Sequence, residues 1–125
     1  MKLNFAHLCD SAYILDNNTP AIIGIFSIIK TKELPFLHPG MTVVAEFTPE
    51  DVNSHKLEIV LNSPSGKKMS FHALTIGPAE TAEKHLGSIF NITNIKFKEE
   101  GEHQIMVIVD DKELQSILFQ IEKIS

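Results

Sequence analysis

Apolar residues in this chain come in short runs, and most of those runs alternate with the positions between them. Leu3, Phe5, His7 and Cys9 alternate with Asn4, Ala6, Leu8 and Asp10, and residues 12–15 continue in the same extended style. Along residues 56–61, Leu57, Ile59 and Leu61 point one way, and Glu58 and Val60 the other. A period of two places successive side chains on opposite faces, which is the pattern of a strand with one buried face. Further runs at 22–29, 41–47, 68–76, 88–97, 102–109 and 113–124 are rich in the Ile, Val, Thr and Phe that suit a pleated surface.

The breaks between runs have turn chemistry. Asp16-Asn17-Asn18-Thr19-Pro20, Ser63-Pro64-Ser65-Gly66 and Asp110-Asp111-Lys112 hold side chains that bond their own backbone or tolerate left-handed conformations. Pro35 and Pro39 predict a connection over residues 30–40, because neither belongs inside a central strand. Thr48-Pro49-Glu50-Asp51 reads as a single helical turn with Thr48 as its cap. Residues 77–87, with Pro78 and a Glu80–Lys84 pair, predict one or two helical turns or a loop, having no apolar face to hold a longer helix. The expected fold is all-β: an antiparallel, immunoglobulin-like β-sandwich of about 7–9 strands with at most one or two short helical turns. One domain spans residues 1–125, a length that buries a sufficient core unaided.

Charge narrows the function classes. The chain has 11 basic and 16 acidic residues, net −5, and every basic residue is lysine. Without arginine it lacks the planar fork that grips phosphates and reads guanine edges, and the lysines are scattered along the sequence, so no nucleic-acid partner is expected. No apolar run approaches the ~20 residues of a membrane helix, so no membrane partner is expected either. The N-terminal run to Cys9 contains Asn4 and His7 and is too short for a signal peptide. Together with a single cysteine, which forms no internal disulfide, this predicts a cytoplasmic location.

The order of these elements carries a resemblance. Leu8-Cys9-Asp10, a turn, Ile22-Ile23-Gly24-Ile25-Phe26, then His38-Pro39 before a Val-Val strand resembles a family of small uncharacterised bacterial single-domain β-sandwich proteins. The similarity continues through the Ser-Pro-Ser-Gly hairpin, Glu100-Gly101-Glu102-His103, an Ile-Met-Val-Ile-Val strand and the Asp110-Asp111 turn. It implies an immunoglobulin-like sandwich, with no assigned activity and no catalytic residue to carry over.

Candidate chemistry is sparse. His7 and Cys9 share a strand face and would suit an imidazole-activated thiolate, but a small buried cysteine beside a satisfied histidine is the preferred account. The six histidines lack metal-ligand spacing, and the acidic pairs sit at turns without a calcium-loop pattern. No phosphate loop, nucleophile elbow or zinc-protease motif is present, so no enzyme activity, cofactor or metal is expected.

The informative feature is an apolar excess. Residues 22–29 load both faces of a strand with isoleucine and phenylalanine, as do residues 105–109 and 117–119. The leading expectation is a non-catalytic interaction or structural module that contacts a protein partner or a second copy of itself. Its contact surface would be Ile23, Ile25 and Ile29 or an open sheet edge. Internal cover by Leu34, Phe36 and Leu37 is the competing account of the same excess. The alternative function is a small-ligand module with a pocket at one end lined by Phe36, His38, Phe71 and His85.

Overall fold

A computed structural model describes residues 1–17, 19–76 and 86–125 of the chain. Among the described residues it contains nine strands and no helix. They are β1 (Lys2–Ile14), β2 (Pro20–Ile25), β3 (Ile28–Thr31), β4 (Phe36–Thr48), β5 (His55–Asn62), β6 (Lys68–Ile76), β7 (Leu86–Phe97), β8 (Gly101–Val109) and β9 (Lys112–Lys123). One sheet has the order β2-β1-β4-β7 and the other β3-β9-β8-β5-β6. Every pairing is antiparallel except β3 with β9.

The alternation read from the sequence decides which side chains meet. Ala6, Leu8, Val43, Ala45, Phe47, Phe90 and Ile92 from the first sheet face Leu57, Ile59, Ile105, Val107, Phe119 and Ile121 from the second in one buried cluster. Both sheets therefore bury one face against the other, as layered all-β domains must. Ile117, Leu118 and Phe119 show the rule in miniature: the outer two pack on the core and Leu118 between them is exposed.

Three local expectations are corrected. Residues 22–29 do not form one strand but serve both sheets. The chain leaves β2 at Ile25 and crosses at Phe26-Ser27: Phe26 N–H donates to the Leu8 carbonyl (3.2 Å), and Gln120 N–H donates to the Ser27 carbonyl (2.8 Å). The apolar load on both faces reflects this change of sheet.

The expected connection over residues 30–40 is partly strand, since β4 begins at Phe36 and includes Pro39. Pairing with β1 runs only over Thr42–Thr48 of β4, so at Pro39 that side is an open edge. The β7 ladder also skips this residue, passing from His38↔Ile95 to Gly40↔Thr93 around Asn94, which has φ +54°. Proline is tolerated because no ladder bond needs its missing N–H.

Residues 48–51 make a bend and not a helical turn. Asp51 Oδ1 accepts from Asn53 N–H at 2.9 Å, so the acid organises an Asx turn instead of capping a helix. The helical turns expected within 77–87 fall on residues 77–85, outside the described residues, and then on the start of β7.

β1 outruns its partner. Its pairing with β4 ends at Cys9↔Thr42, and beyond that it pairs only with β2. In a straight strand Ile14 would lie about 30 Å along from Phe5, at ~3.3 Å per residue. Yet a β-carbon added at Gly87 of β7, which is level with Phe5, would sit 3.2 Å from Ile14 Cδ1. The free part of the β1–β2 hairpin therefore folds back over the outer face of the first sheet. Val44 and Cys9, which alternate with core residues and so point outward, are both fully buried.

Candidate functional site

The folded-back hairpin carries the largest group of exposed apolar side chains. Tyr13, Ile14, Leu15, Ile23 and Ile25 all belong to it, and Ile23 and Ile25 are 53% and 62% exposed. Register places Ile23 opposite Ser11 and Ile25 opposite Cys9, so both sit on the same face of a two-stranded ribbon. Ile29, the third residue expected there, lies elsewhere: it is on β3 in the second sheet, half-buried against the core. The internal cover considered above is not supplied. Leu34 and Phe36 pack on the core, and Leu37 is 61% exposed.

Cys9 lies under this hairpin with its thiol 3.4 Å from the Ser11 carbonyl oxygen. Burial, reinforced by the nearby Asp10 charge, pushes the thiol above its ordinary value. That is the reverse of an activated thiolate. His7 stacks on Phe5 at 5.5 Å.

A second feature lies at one end of the molecule, where the edge strands β6 and β7 face each other. His72 Nε2 is 3.1 Å from the Asn91 carbonyl oxygen, and its ring packs on Phe90 at 5.6 Å, tying the two edges together. Further along the same strands a cleft of about 440 Å³ opens. Leu61, Met69, Phe97 and His103 form its apolar part, and Lys67, Lys68, Lys96 and Lys98 line it together with Ser63, Ser65 and Glu99. His103 is buried edge-on to Phe97 (5.3 Å) and stacked on Phe119 (5.3 Å), with Nδ1–H donating to the Gly101 carbonyl at 3.0 Å.

The cleft's one carboxylate is already engaged. Glu99 Oε1 accepts from Ser65 Oγ (2.8 Å) and from Ser65 N–H (3.2 Å), and these bonds hold its carboxyl below the ordinary range. Among the described residues none of the four lysines has a carboxylate within 4.0 Å. Lysines spread along the sequence thus converge in space at this cleft. The local signals were Lys67-Lys68 beside a turn and Lys96 and Lys98 two apart on one strand.

The end pocket expected from the sequence is displaced. Phe36 and His38 do lie at this end, packed on Phe97 at 5.5 and 6.3 Å, but neither lines the cleft. Phe71 is half-buried against the core, and His85 lies outside the described residues.

Asp51, His55 and Asp110 make an ionic clamp that no local motif announced. His55 Nδ1 is 2.5 Å from Asp110 Oδ2, and Nε2 is 2.9 Å from Asp51 Oδ1. Hydrogen bonding to Asp110 and then to Asp51 raises the imidazole's affinity for its proton, and both carboxyls are lowered by the same bonds. A doubly clamped imidazolium is a poor general base. Among the described residues no group of three or more His, Cys, Asp or Glu side chains is arranged to hold a metal ion, and no helix is long and apolar enough to cross a membrane.

Solved structures share the fold at low identity. The chain is similar to a part of the Pseudomonas fluorescens alkylpurine DNA glycosylase AlkC bound to DNA containing an abasic site analog, with TM-score 0.50 and 15% identity over 77% of this chain and 27% of that one. It is also similar to a part of the β-glucosidase from Listeria innocua in complex with glucose, with TM-score 0.51 and 10% identity over 94% of this chain and 16% of that one. A mutant of that glucosidase in complex with laminaribiose gives TM-score 0.51 and 10% identity, with 96% and 16% covered. The chain spans about a quarter of the glycosylase and a sixth of the glucosidase, and the likeness is one of fold alone. No curated protein sequence matches the chain. Residues 4–122 match a family profile, and the chain belongs to the family of unknown function DUF6941.

Proposed function

We propose that this chain is a non-catalytic interaction module of immunoglobulin-like architecture, working in a bacterial cytoplasm, and that its β1–β2 hairpin binds a second copy of itself. The architecture is supported by the segment that changes sheets at Phe26-Ser27 and by the parallel pairing of β3 with the last strand. The observation that carries the interaction reading is the exposure of Tyr13, Ile23 and Ile25 on one face of a ribbon whose β2 strand is, among the described residues, a sheet edge.

A second copy is favoured by the chemistry of the patch. A two-fold interface brings a surface against itself, so the surface must be self-complementary. An apolar patch meets that condition, whereas a patch of one charge repels its own image. The ribbon's apolar side chains are interrupted by charge only at Asp10 and, at the turn, Asp16. Light scattering of the purified chain at tens of micromolar tests this: the expected mass is that of a dimer. The double substitution Ile23→Ser/Ile25→Ser should return it to a monomer with unchanged far-ultraviolet circular dichroism. A wild-type chain that stays monomeric would overturn the self-association.

A further inference from the structure

The end cleft is a second candidate site, independent of the hairpin. We infer that it binds a small organic anion: a molecule with one phosphate or carboxylate head and an apolar, ring-sized body. The inference rests on the apolar floor and on a rim in which four lysines face a single carboxylate, Glu99.

The floor is made by Leu61, Met69, Phe97 and His103, side chains drawn from both sheets. A volume of about 440 Å³ falls in the range of small-molecule sites. The rim brings together four of the chain's 11 basic residues. In a protein of net charge −5 such a concentration is a local reversal of the field. Glu99, the one carboxylate of the lining, accepts from Ser65 within the cleft and offsets only part of the four lysine charges. Lysine ammonium groups are point charges on flexible stems and accept phosphate or carboxylate without a fixed fork geometry. The head is therefore recognised by charge, and the body by the floor.

A nucleic-acid strand fits the same features less well. An extended backbone needs a basic stripe, whereas these lysines surround a single cleft, and the overall charge opposes a polyanion.

Phenyl phosphate is the probe that carries both halves of the proposed chemistry. Titration into the ¹⁵N-labelled chain should give saturable amide shifts concentrated in residues 61–69 and 96–103. Inorganic phosphate, which lacks the body, and benzyl alcohol, which lacks the charge, should each bind about tenfold more weakly or worse. The substitution Lys67→Gln/Lys96→Gln should weaken phenyl phosphate about tenfold. It should leave benzyl alcohol binding and the urea midpoint unchanged, separating loss of the site from loss of the fold. No saturation by about 10 mM, or shifts spread over lysines outside the cleft, would overturn the proposal. Inorganic phosphate binding as tightly as phenyl phosphate would overturn the role of the floor. A single-stranded DNA oligomer binding more tightly than phenyl phosphate, with a steep salt dependence, would replace the small anion with a polyanion.

Discussion

His55 divides its two ring nitrogens between carboxylates from opposite directions, Asp51 in the preceding bend and Asp110 in the β8–β9 turn. Asp110 also accepts from Lys56 N–H (2.9 Å) while its own N–H donates to the Lys56 carbonyl (2.8 Å), so one acid fastens the start of β5 to that turn. The stability this gives depends on pH. An imidazole raised by its partners stabilises the fold fully below its ordinary value of 6.5 and ceases to do so as pH rises through the higher folded value. Carboxyls that are lowered stabilise above 3.8 and cease to as pH falls through their lower folded values. The clamp is thus at full strength between about pH 4 and 6.5. Burial lowers His38 and gives it the opposite dependence, so the readout is a difference. In urea titrations over roughly pH 5 to 9, the range in which histidine titrates, wild type should lose stability relative to His55→Gln as the pH rises. Parallel curves would contradict the clamp.

At the scale of elements, the β1–β2 hairpin depends on a backbone position that only glycine fills easily. Gly24 has φ +72°, and a β-carbon there would meet Asp10 Oδ2 at 2.4 Å. Gly24→Ala should therefore destabilise the fold by about 1–2 kcal/mol, combining left-handed strain with displacement of the Asp10 side chain. Thermal or urea unfolding checks this, and a neutral result would mean that the hairpin is not held as described. Most strands were legible from the sequence because alternation is a local signal, and the strand cores around Ile59, Val107 and Phe119 face inward as it implied. The departures involve partners distant in sequence. The break at Phe26-Ser27 depends on Leu8 and Gln120. Pro39 is admitted because β1 ends its pairing with β4 before reaching it.

Across the whole molecule, cohesion comes from aromatic contacts between the sheets. Phe119 of the second sheet is 1% exposed and meets Phe97 of the first at 6.0 Å, with His103 stacked on it at 5.3 Å. Phe119→Ala removes that wedge and should cost about 3–5 kcal/mol, a large share of the ~5–15 kcal/mol typical of a domain. Chemical denaturation measures it directly, and a loss below about 1 kcal/mol would show that the site collapses to fill the space. The same scale explains what the sequence withheld about the candidate sites. Ile23 and Ile25 were legible as an excess because exposure follows from pattern. The lysine cleft was not, because two strand edges and two turns far apart in the chain must close before its four charges become neighbours.

The parallel pairing of β3 with β9 sets the order in which the molecule can be made. Residues 28–31 hydrogen-bond to residues 120–123, so the second sheet has no closed β3 edge until β9 has emerged from the ribosome. Until residues 120–123 have been made, Ile28 and Ile29 have no ladder partner. Such long-range closure is slow and leaves apolar surface uncovered while it is awaited. The second sheet can therefore complete its folding only after residues 120–123 are available.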